Sequence, residues 1–271
     1  MPQVSPPLLS GEIHIWQVHL RDESGLRSRQ ARLLSSEELR RADAYRFERD
    51  RRRFVSARGM LRRLLAGYTG ADADKVEIAT TASGKPFLAT STAPLYFNLS
   101  HSGDQALIAF SRDADVGVDL EEINSEGRME DLIQSICSEV EAHQIRLIPP
   151  HRQGRALLRL WTAKEAYLKA TGFGLQIAPH RLEVDGPVLH GCGAPSQVRW
   201  LEAPHRSGMY CLYPLPQCEQ ELRASAALVI RSAETSHQLT WFTAEAGESP
   251  RLRQSLLRAN ACDGAPAGPR E

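Results

Sequence analysis

The chain has 271 residues, of which 42% are hydrophobic and 24% are charged, and its formal net charge at pH 7 is zero. This composition is ordinary for a soluble globular protein, and the length allows one large domain or two smaller ones. No apolar run approaches the roughly 20 residues of a membrane span, and the scattered cysteines form no C-x-x-C pair, so we expect a cytoplasmic protein with neither membrane anchorage nor a zinc site.

The first quarter of the chain is rich in arginine. Alternating apolar and polar residues predict a first strand over residues 12–20. Ser35 and Glu38 form a capping box that predicts the start of a helix, and a long arginine-rich helix then runs to Gly70. Residues 27–63 contain thirteen arginines, no lysine and five acids. This excess of positive charge favours an anionic partner, although a solvated arginine face explains the same pattern.

Three strand-like runs follow at residues 95–99, 106–110 and 116–120, separated by short turns. We expect them to form a meander. A meander would bring the corner after the first run and the acidic end of the third run to one sheet.

The second half is predicted to contain helices over residues 130–147 and 155–171, with a break at the Pro149-Pro150 pair between them. Short strand-like runs follow, at residues 182–184, 198–201, 210–213 and 226–230. The order of helices followed by strands predicts an α+β fold with two similar halves rather than alternating βαβ units. The halves are residues 11–118 and 119–231, and the polar residues 232–271 are predicted to be a flexible tail.

Carboxylates and lysines form the most informative pattern. Asp119 and Glu121 are two residues apart on a predicted strand, so their side chains point to the same side. Glu165 lies on an amphipathic helix between Lys164 and Lys169. Oxygen ligands beside ammonium groups suit a divalent cation that holds a phosphate-rich ligand. The alternatives are a strand end with surface carboxylates, a Glu165–Lys169 helix pair spaced i, i+4, and a solvated Lys164.

Further residues suit phosphate binding. Ser100 and His101 lie at a strand-to-turn corner, where a backbone N–H group and an imidazole could both meet a phosphate. Lys85 follows a glycine in a turn, where the backbone can come close to a ligand. Arg58 and Arg62 are one helical turn apart and share a face. Each of these residues, taken alone, is also typical of an ordinary turn or surface position.

The order of four motifs resembles the 4′-phosphopantetheinyl transferases, in particular the larger, monomeric, surfactin-synthetase-activating class, and the resemblance spans about residues 12–231. The motifs are Gly84-Lys85-Pro86, Phe97-Asn98-Leu99-Ser100-His101-Ser102, Gly117-Val118-Asp119-Leu120-Glu121 and Trp161-x-x-Lys164-Glu165-Ala166-x-x-Lys169. The resemblance implies two similar α+β halves with the active site in the cleft between them. It also implies that coenzyme A donates 4′-phosphopantetheine to a serine hydroxyl of a carrier protein, with release of adenosine 3′,5′-bisphosphate.

The resemblance further implies roles for individual residues. Asp119, Glu121 and Glu165 would hold Mg²⁺ on the pyrophosphate of coenzyme A. Lys169 would neutralise charge near that pyrophosphate, and Glu165, Lys169 and His101 would be the catalytic residues. Which group accepts the proton of the serine hydroxyl stays open between Glu165, Asp119 and water.

The remaining positions carried over by resemblance bind coenzyme A. Ser100 and His101 would contact its phosphates, whereas Lys85 and the helix bearing Arg58 and Arg62 would engage the adenosine end, above all the 3′-phosphate. Arg41, Arg46 and Arg63 are alternatives to the two chosen arginines, because the family has no rigid motif there.

Partners and competing functions follow from the same residues. We expect apo carrier proteins of fatty-acid, polyketide or non-ribosomal peptide synthesis as partners of a monomer. The same charges would suit a Mg²⁺-dependent hydrolase of coenzyme A-type pyrophosphates, or a non-catalytic protein that binds coenzyme A or a carrier. Nucleic-acid binding is disfavoured, because the arginine-rich segment lacks interleaved stacking aromatics.

Overall fold

The structure is a computed structural model that describes residues 5–20, 26–90, 93–123, 129–202, 210–232, 234–246 and 255–257. The helices in these ranges are α1 (Leu26–Ala31), α2 (Ser36–Asp43), α3 (Glu48–Thr69), α4 (Met129–Ile136), α5 (Glu139–Leu147), α6 (Pro150–Thr171) and α7 (Gln217–Glu221). No helix in the described ranges is both long enough and apolar enough to cross a membrane.

The strands form two five-stranded sheets and a small hairpin. They are β1 (Glu12–His19), β2 (Ile78–Thr80), β3 (Pro86–Leu88), β4 (Tyr96–Ser102), β5 (Gln105–Ser111), β6 (Val116–Glu122), β7 (Leu182–Val184), β8 (Ser196–Trp200), β9 (Cys211–Pro214), β10 (Ala224–Ile230), β11 (Gln238–Glu245) and β12 (Ser255–Leu257). The first sheet has the order β12-β11-β1-β5-β4, the second has the order β6-β10-β9-β8-β7, and β2 pairs with β3.

Each sheet packs against one long helix, which confirms the predicted α+β fold with two halves. Met60 and Leu61 of α3 pack with Ile108 of the first sheet. Leu160 of α6 packs with Val229 of the second sheet. A third apolar cluster joins residues from both sheets and fills the space between the halves.

The predicted meander of three strands in one sheet is wrong. Strands β4 and β5 belong to the first sheet, but β6 is an edge strand of the second sheet. Strand β6 begins at Val116 and so spans the predicted boundary at 118/119, which stays a prediction. The chain leaves the first sheet after β5 and enters the second, so the two motif-bearing strands meet across the seam between the halves.

The tail prediction is also wrong for part of its length. Strand β11 runs parallel to β1 over its whole length, and Leu239, Trp241 and Phe242 are buried. Leu239 and Trp241 face the core between the sheets, while Phe242 packs on the α3 side. The β-branched and aromatic residues of β11 suit a strand that is buried on both faces. Parts of the predicted tail, including 247–254 and 258–271, lie outside the described residues.

Helix α6 lies unusually close to β6, and a glycine makes this possible. A Cβ atom at Gly117 would lie 2.1 Å from the Ala166 carbonyl oxygen and 2.3 Å from the Ala170 nitrogen. The predicted Pro149-Pro150 break is in fact the start of α6, where proline is well tolerated at the first helical position. At its other end, Gly172 caps the helix with a φ of 74°. The close approach places the second half of α6 over the acidic residues of β6.

Candidate active site

A cavity of about 450 Å³ opens between the two halves. It is bounded by α3, the β2–β3 turn, β4, β6 and α6, so both halves contribute to it. Its lining includes eight of the nine predicted site residues, namely Arg58, Lys85, Ser100, His101, Asp119, Glu121, Glu165 and Lys169.

Asp119 lies at the centre of the polar contacts in this cavity. Its side chain is 3% exposed, and its Oδ1 atom accepts hydrogen bonds from Lys169 Nζ at 2.5 Å and Ser100 Oγ at 2.9 Å. Lys169 also donates to Ser100 Oγ at 2.9 Å. Two halves of the molecule therefore meet at one carboxylate, since Ser100 comes from β4 and Lys169 from α6.

The two glutamates carry raised pKa values. Burial raises the pKa of Glu121, and the charge of Asp119 adds to the rise, whereas a hydrogen bond from Ser102 and the charge of Lys169 oppose it. Burial also raises the pKa of Glu165, again with a contribution from Asp119. Confined carboxylates of like charge disfavour one another's ionised form, so this cavity favours protons or cations.

The predicted metal site is not preassembled. Among the described residues, no three His, Cys, Asp or Glu side chains come close enough together to hold a metal ion. However, Asp119 Oδ2 and Glu165 Oε1 are both buried without a hydrogen-bond partner. Buried carboxylate oxygens of this kind are stabilised by a cation. The carboxylates thus share a cavity and offer the right chemistry, but they do not converge on one point.

His101 lies at the end of β4 that faces the cavity. Burial lowers the pKa of its imidazole, and the positive charges of Lys169, Arg53 and Arg41 lower it further. A neutral imidazole is therefore favoured at pH 7, which makes His101 a hydrogen-bonding group rather than a fixed cation.

The two predicted arginines have different environments. Arg58 lines the cavity, and Glu38 holds its guanidinium through contacts of 2.9 Å to Nε and 2.7 Å to Nη2. Arg62 does not line the cavity, and its side chain is only 3% exposed. It donates to Glu38 and to the carbonyl oxygens of Ala73 and Val76. Arg62 therefore packs α3 within the first half and, unlike Arg58, is not placed in the cavity.

Glu38 positions Arg58 because of its place in α2. The predicted capping box is confirmed, since Glu38 N donates to Ser35 Oγ and Ser35 N donates to Glu38 Oε2. The same carboxylate then binds both arginines of α3. A local helix-start pattern thus fixes a cavity side chain 20 residues further along the chain.

Lys85 reaches the cavity from the turn before β3, and its ammonium group is already engaged. Its Nζ atom donates to Asp115 Oδ1 and to the Ala170 carbonyl oxygen, each at 2.6 Å. Gly84 allows this turn with a φ of 87°. Lys85 therefore ties the hairpin of the first half to the end of α6 in the second half.

Lys164 is not solvated, contrary to the sequence-based interpretation. Its side chain and that of Glu141 are both fully buried, with 2.5 Å between Nζ and Oε2. Three carbonyl oxygens, those of Ile136, Pro179 and Leu182, accept further hydrogen bonds from the same ammonium group.

Tyr45 and Phe54 line the cavity, although the sequence did not predict them as ligand contacts. They form an aromatic wall, and Arg41, one of the alternative arginines named above, lies over the Phe54 ring at 5.4 Å. They belong to the arginine-rich segment, where no motif distinguishes one residue from its neighbours. Trp161 could have been found, because it begins the α6 motif and lies one turn before Glu165.

Two family profiles match the chain in tandem. The N-terminal profile of 4′-phosphopantetheinyl transferases matches residues 25–113, and the profile of the 4′-phosphopantetheinyl transferase superfamily matches residues 115–208. The junction between the two matches coincides with the start of the second sheet at β6.

Individual proteins are similar over a shorter part of the chain. The 4′-phosphopantetheinyl transferase HetI of Nostoc sp. is 39% identical over 170 residues, which cover 62% of this chain and 72% of HetI. The L-aminoadipate-semialdehyde dehydrogenase-phosphopantetheinyl transferase of Mus musculus is 30% identical over 164 residues, which cover 57% of this chain and 53% of the mouse protein. A phosphopantetheinyl transferase of Thraustochytrium sp. is 32% identical over 173 residues, and the match spans 59% of its length.

Proposed function

Because this chain belongs to the 4′-phosphopantetheinyl transferase family and is a transferase, we propose that it moves 4′-phosphopantetheine from coenzyme A to a serine hydroxyl of an apo carrier protein. Adenosine 3′,5′-bisphosphate is the other product. The observation that carries this proposal is the cavity between the halves, in which three carboxylates lie beside Lys169, Ser100 and His101.

In this reaction the serine oxygen attacks the phosphorus atom next to pantetheine in the pyrophosphate of coenzyme A. A new P–O bond forms to serine, the P–O bond to the adenosine-side phosphate breaks, and the serine proton passes to a base. Proteins assist such transfers mainly by positioning the reactants and stabilising charge on oxygens. Lys169 is suited to the second task, and Glu165 offers an unpaired carboxylate oxygen for the proton.

The same carboxylates suit Mg²⁺. Asp119, Glu121 and Glu165 would hold the ion, which fits their oxygen-only chemistry and the unpartnered oxygens of Asp119 and Glu165. When bound, the ion supplies positive charge that polarises the pyrophosphate and improves the leaving group. Since the three side chains are not assembled in advance, ion binding is proposed to draw Glu165 of α6 towards the two carboxylates of β6.

The basic and aromatic end of the cavity suits the adenosine part of coenzyme A. Arg58 and Arg41 are proposed to contact its phosphates, because guanidinium groups match phosphate oxygens as paired donors. Tyr45 and Phe54 supply an apolar wall for the base. Lys85 is proposed to act at the same end of the ligand, and Arg62 is omitted because its guanidinium is used within α3.

The finer features of the family resemblance are also part of the proposal. Two halves within one chain support membership of the larger, surfactin-synthetase-activating class and a monomeric state. Carrier domains of fatty-acid, polyketide or non-ribosomal peptide synthesis are the proposed partners, and the cytoplasm is the proposed compartment.

The test is to incubate the protein with coenzyme A and MgCl₂, with and without an apo carrier protein, and to quantify adenosine 3′,5′-bisphosphate by chromatography. The proposal predicts release that depends on the carrier and matches the amount of carrier modified. Release without any carrier would instead indicate a hydrolase. Binding of coenzyme A without release in any mixture would indicate a non-catalytic binding protein.

A further inference from the structure

Strands β4 and β6 face each other across the seam between the halves, although they belong to different sheets. Each is the edge strand of its own sheet. An edge strand presents backbone N–H and C=O groups that need partners, particularly where the strand is buried.

Side chains of two β4 residues, Asn98 and Ser102, supply such partners to β6. Asn98 Oδ1 accepts a hydrogen bond from Val118 N at 3.0 Å, and Ser102 Oγ accepts one from Glu122 N at 3.1 Å. Val118 and Glu122 are four residues apart, so their N–H groups point to the same edge of β6, away from β10. Between them, Ser100 Oγ donates to Asp119 Oδ1. We call Asn98, Ser100 and Ser102 the polar ladder.

Ser102 differs from the other two members of this ladder because its side chain bonds both a backbone N–H group and a carboxylate of β6. The hydroxyl oxygen accepts from the backbone of β6 and its proton is donated to Glu121 Oε2 at 3.0 Å. The first bond fixes the hydroxyl relative to β6, and the second, together with a hydrogen bond from the Trp161 side chain, orients the Glu121 carboxylate. Ser102 does not itself line the cavity, whereas Glu121 does.

We propose that Ser102 is a positioning residue, which orients the Glu121 carboxylate towards the cavity as the outermost member of a polar ladder that joins the two halves. The proposal rests on the proposed function in so far as Glu121 is a ligand of Mg²⁺. Groups that hold a metal ligand in place from outside the coordination shell commonly affect affinity strongly.

The test compares wild type with Ser102→Ala, Ser102→Thr and Ser111→Ala. Ser111 is the control, because it is a serine on the neighbouring strand of the same sheet, more deeply buried than Ser102, and its Oγ accepts from Asp113 N at 3.1 Å away from the cavity. Binding of Mg²⁺ to each protein is measured by isothermal titration calorimetry with MgCl₂, in the absence of any substrate. Unfolding in urea gives the stability of each variant.

Ser102→Ala is expected to weaken Mg²⁺ binding by about 10-fold, while Ser102→Thr, which keeps the hydroxyl group, retains most of the affinity. Ser111→Ala is expected to bind Mg²⁺ as wild type does, even if it is less stable in urea. Equal affinity of wild type and a folded Ser102→Ala would overturn the positioning role alone. An equal loss in the Ala and Thr variants would also overturn it, because the hydroxyl would then be irrelevant. No Mg²⁺ binding by wild type would instead overturn the metal part of the proposed function, and the inference with it.

Discussion

Lys164 and Lys169 are five residues apart on α6, and each contacts a carboxylate at 2.5 Å. Their surroundings are nevertheless opposite. Lys164 and Glu141 are fully buried, and backbone carbonyls saturate the remaining donors of the ammonium group. Lys169 is 28% exposed and lines the cavity, and the carboxylate of its partner Asp119 keeps one unpaired oxygen.

The difference separates an ion pair that holds the fold from one that is available for chemistry. At Lys164 every charge is compensated, so no ligand can be accommodated there. The Lys164–Glu141 pair instead joins α5, α6 and β7. At Lys169 the compensation is incomplete, and two neighbouring glutamates carry raised pKa values. Incomplete compensation within a cavity is typical of functional sites.

The largest effect on stability is expected from Lys164→Met. The change would leave Glu141 as an unpaired buried charge, which costs about 3–5 kcal/mol in the free energy of unfolding. The double variant Lys164→Met/Glu141→Leu should recover a large part of this loss, because it removes both charges. Urea unfolding of both variants measures the effect. If Lys164→Met were as stable as wild type, the Lys164–Glu141 pair would not hold the fold and the two lysines would not differ in this respect.

Glu165→Gln is expected to lower carrier modification by about 100-fold or more, because it removes a candidate base and metal ligand. It should also raise the free energy of unfolding at pH 7 in metal-free buffer, because burial and Asp119 penalise the charged form of Glu165. A raised folded pKa means that wild type loses stability as pH rises from the ordinary pKa of a glutamate through the raised one. The difference in the free energy of unfolding between wild type and Glu165→Gln should therefore disappear as pH falls below the ordinary pKa of a glutamate.

The opposite result, a stability gain that grows as pH falls, would contradict the assignment of the raised pKa. Unfolding curves of both proteins, recorded between acidic and neutral pH with a chelator present, distinguish the two outcomes.

Lys169→Met is expected to lower the rate of transfer by about 100-fold, because it removes positive charge where charge develops on oxygens. Its effect on the free energy of unfolding should stay below about 2 kcal/mol, since Asp119 keeps its bond from Ser100 and borders the cavity. Steady-state rates and urea unfolding together measure this. A loss of stability as large as that of Lys164→Met would remove the distinction between the two sites.

Arg58 and Arg62 on α3 differ in the same way, one lining the cavity and the other buried in the fold, and we expect a smaller effect from changing them. Arg58→Lys should raise the KM for coenzyme A by about 10-fold, because a lysine cannot reproduce paired guanidinium donors. Arg62→Lys should instead lower the stability and leave the KM nearly unchanged, because Arg62 is buried among carbonyl groups. An unchanged KM in Arg58→Lys together with a raised KM in Arg62→Lys would reverse the assignment.

Sequence patterns predicted the parts of this molecule that depend on neighbours along the chain. The capping box of Ser35 and Glu38, the glycine Gly70 that ends α3 and the placement of Asp119 and Glu121 on one strand all follow from local geometry. The α+β halves followed from the order of the elements and from the family resemblance.

Contacts between distant segments could not be predicted in this way. Nothing local distinguishes Lys164 from Lys169, because burial is decided by Glu141 and by carbonyl groups of other elements. The same holds for Arg58 and Arg62, which share a helix face and one partner but not the cavity. The polar composition of the last 40 residues likewise did not predict β11, because its partner strand β1 lies at the other end of the chain.

The proposed function assigns the transfer of phosphopantetheine to a carrier serine to the cavity between the halves. The most direct measurement is mass spectrometry of a panel of apo carrier proteins after incubation with coenzyme A, MgCl₂ and either wild type or Glu165→Gln. We predict that wild type adds the mass of one phosphopantetheine group to a single serine of at least one carrier, and that Glu165→Gln does so far more slowly. Carriers that remain unmodified by wild type, or that are modified equally fast by the folded variant, would contradict it.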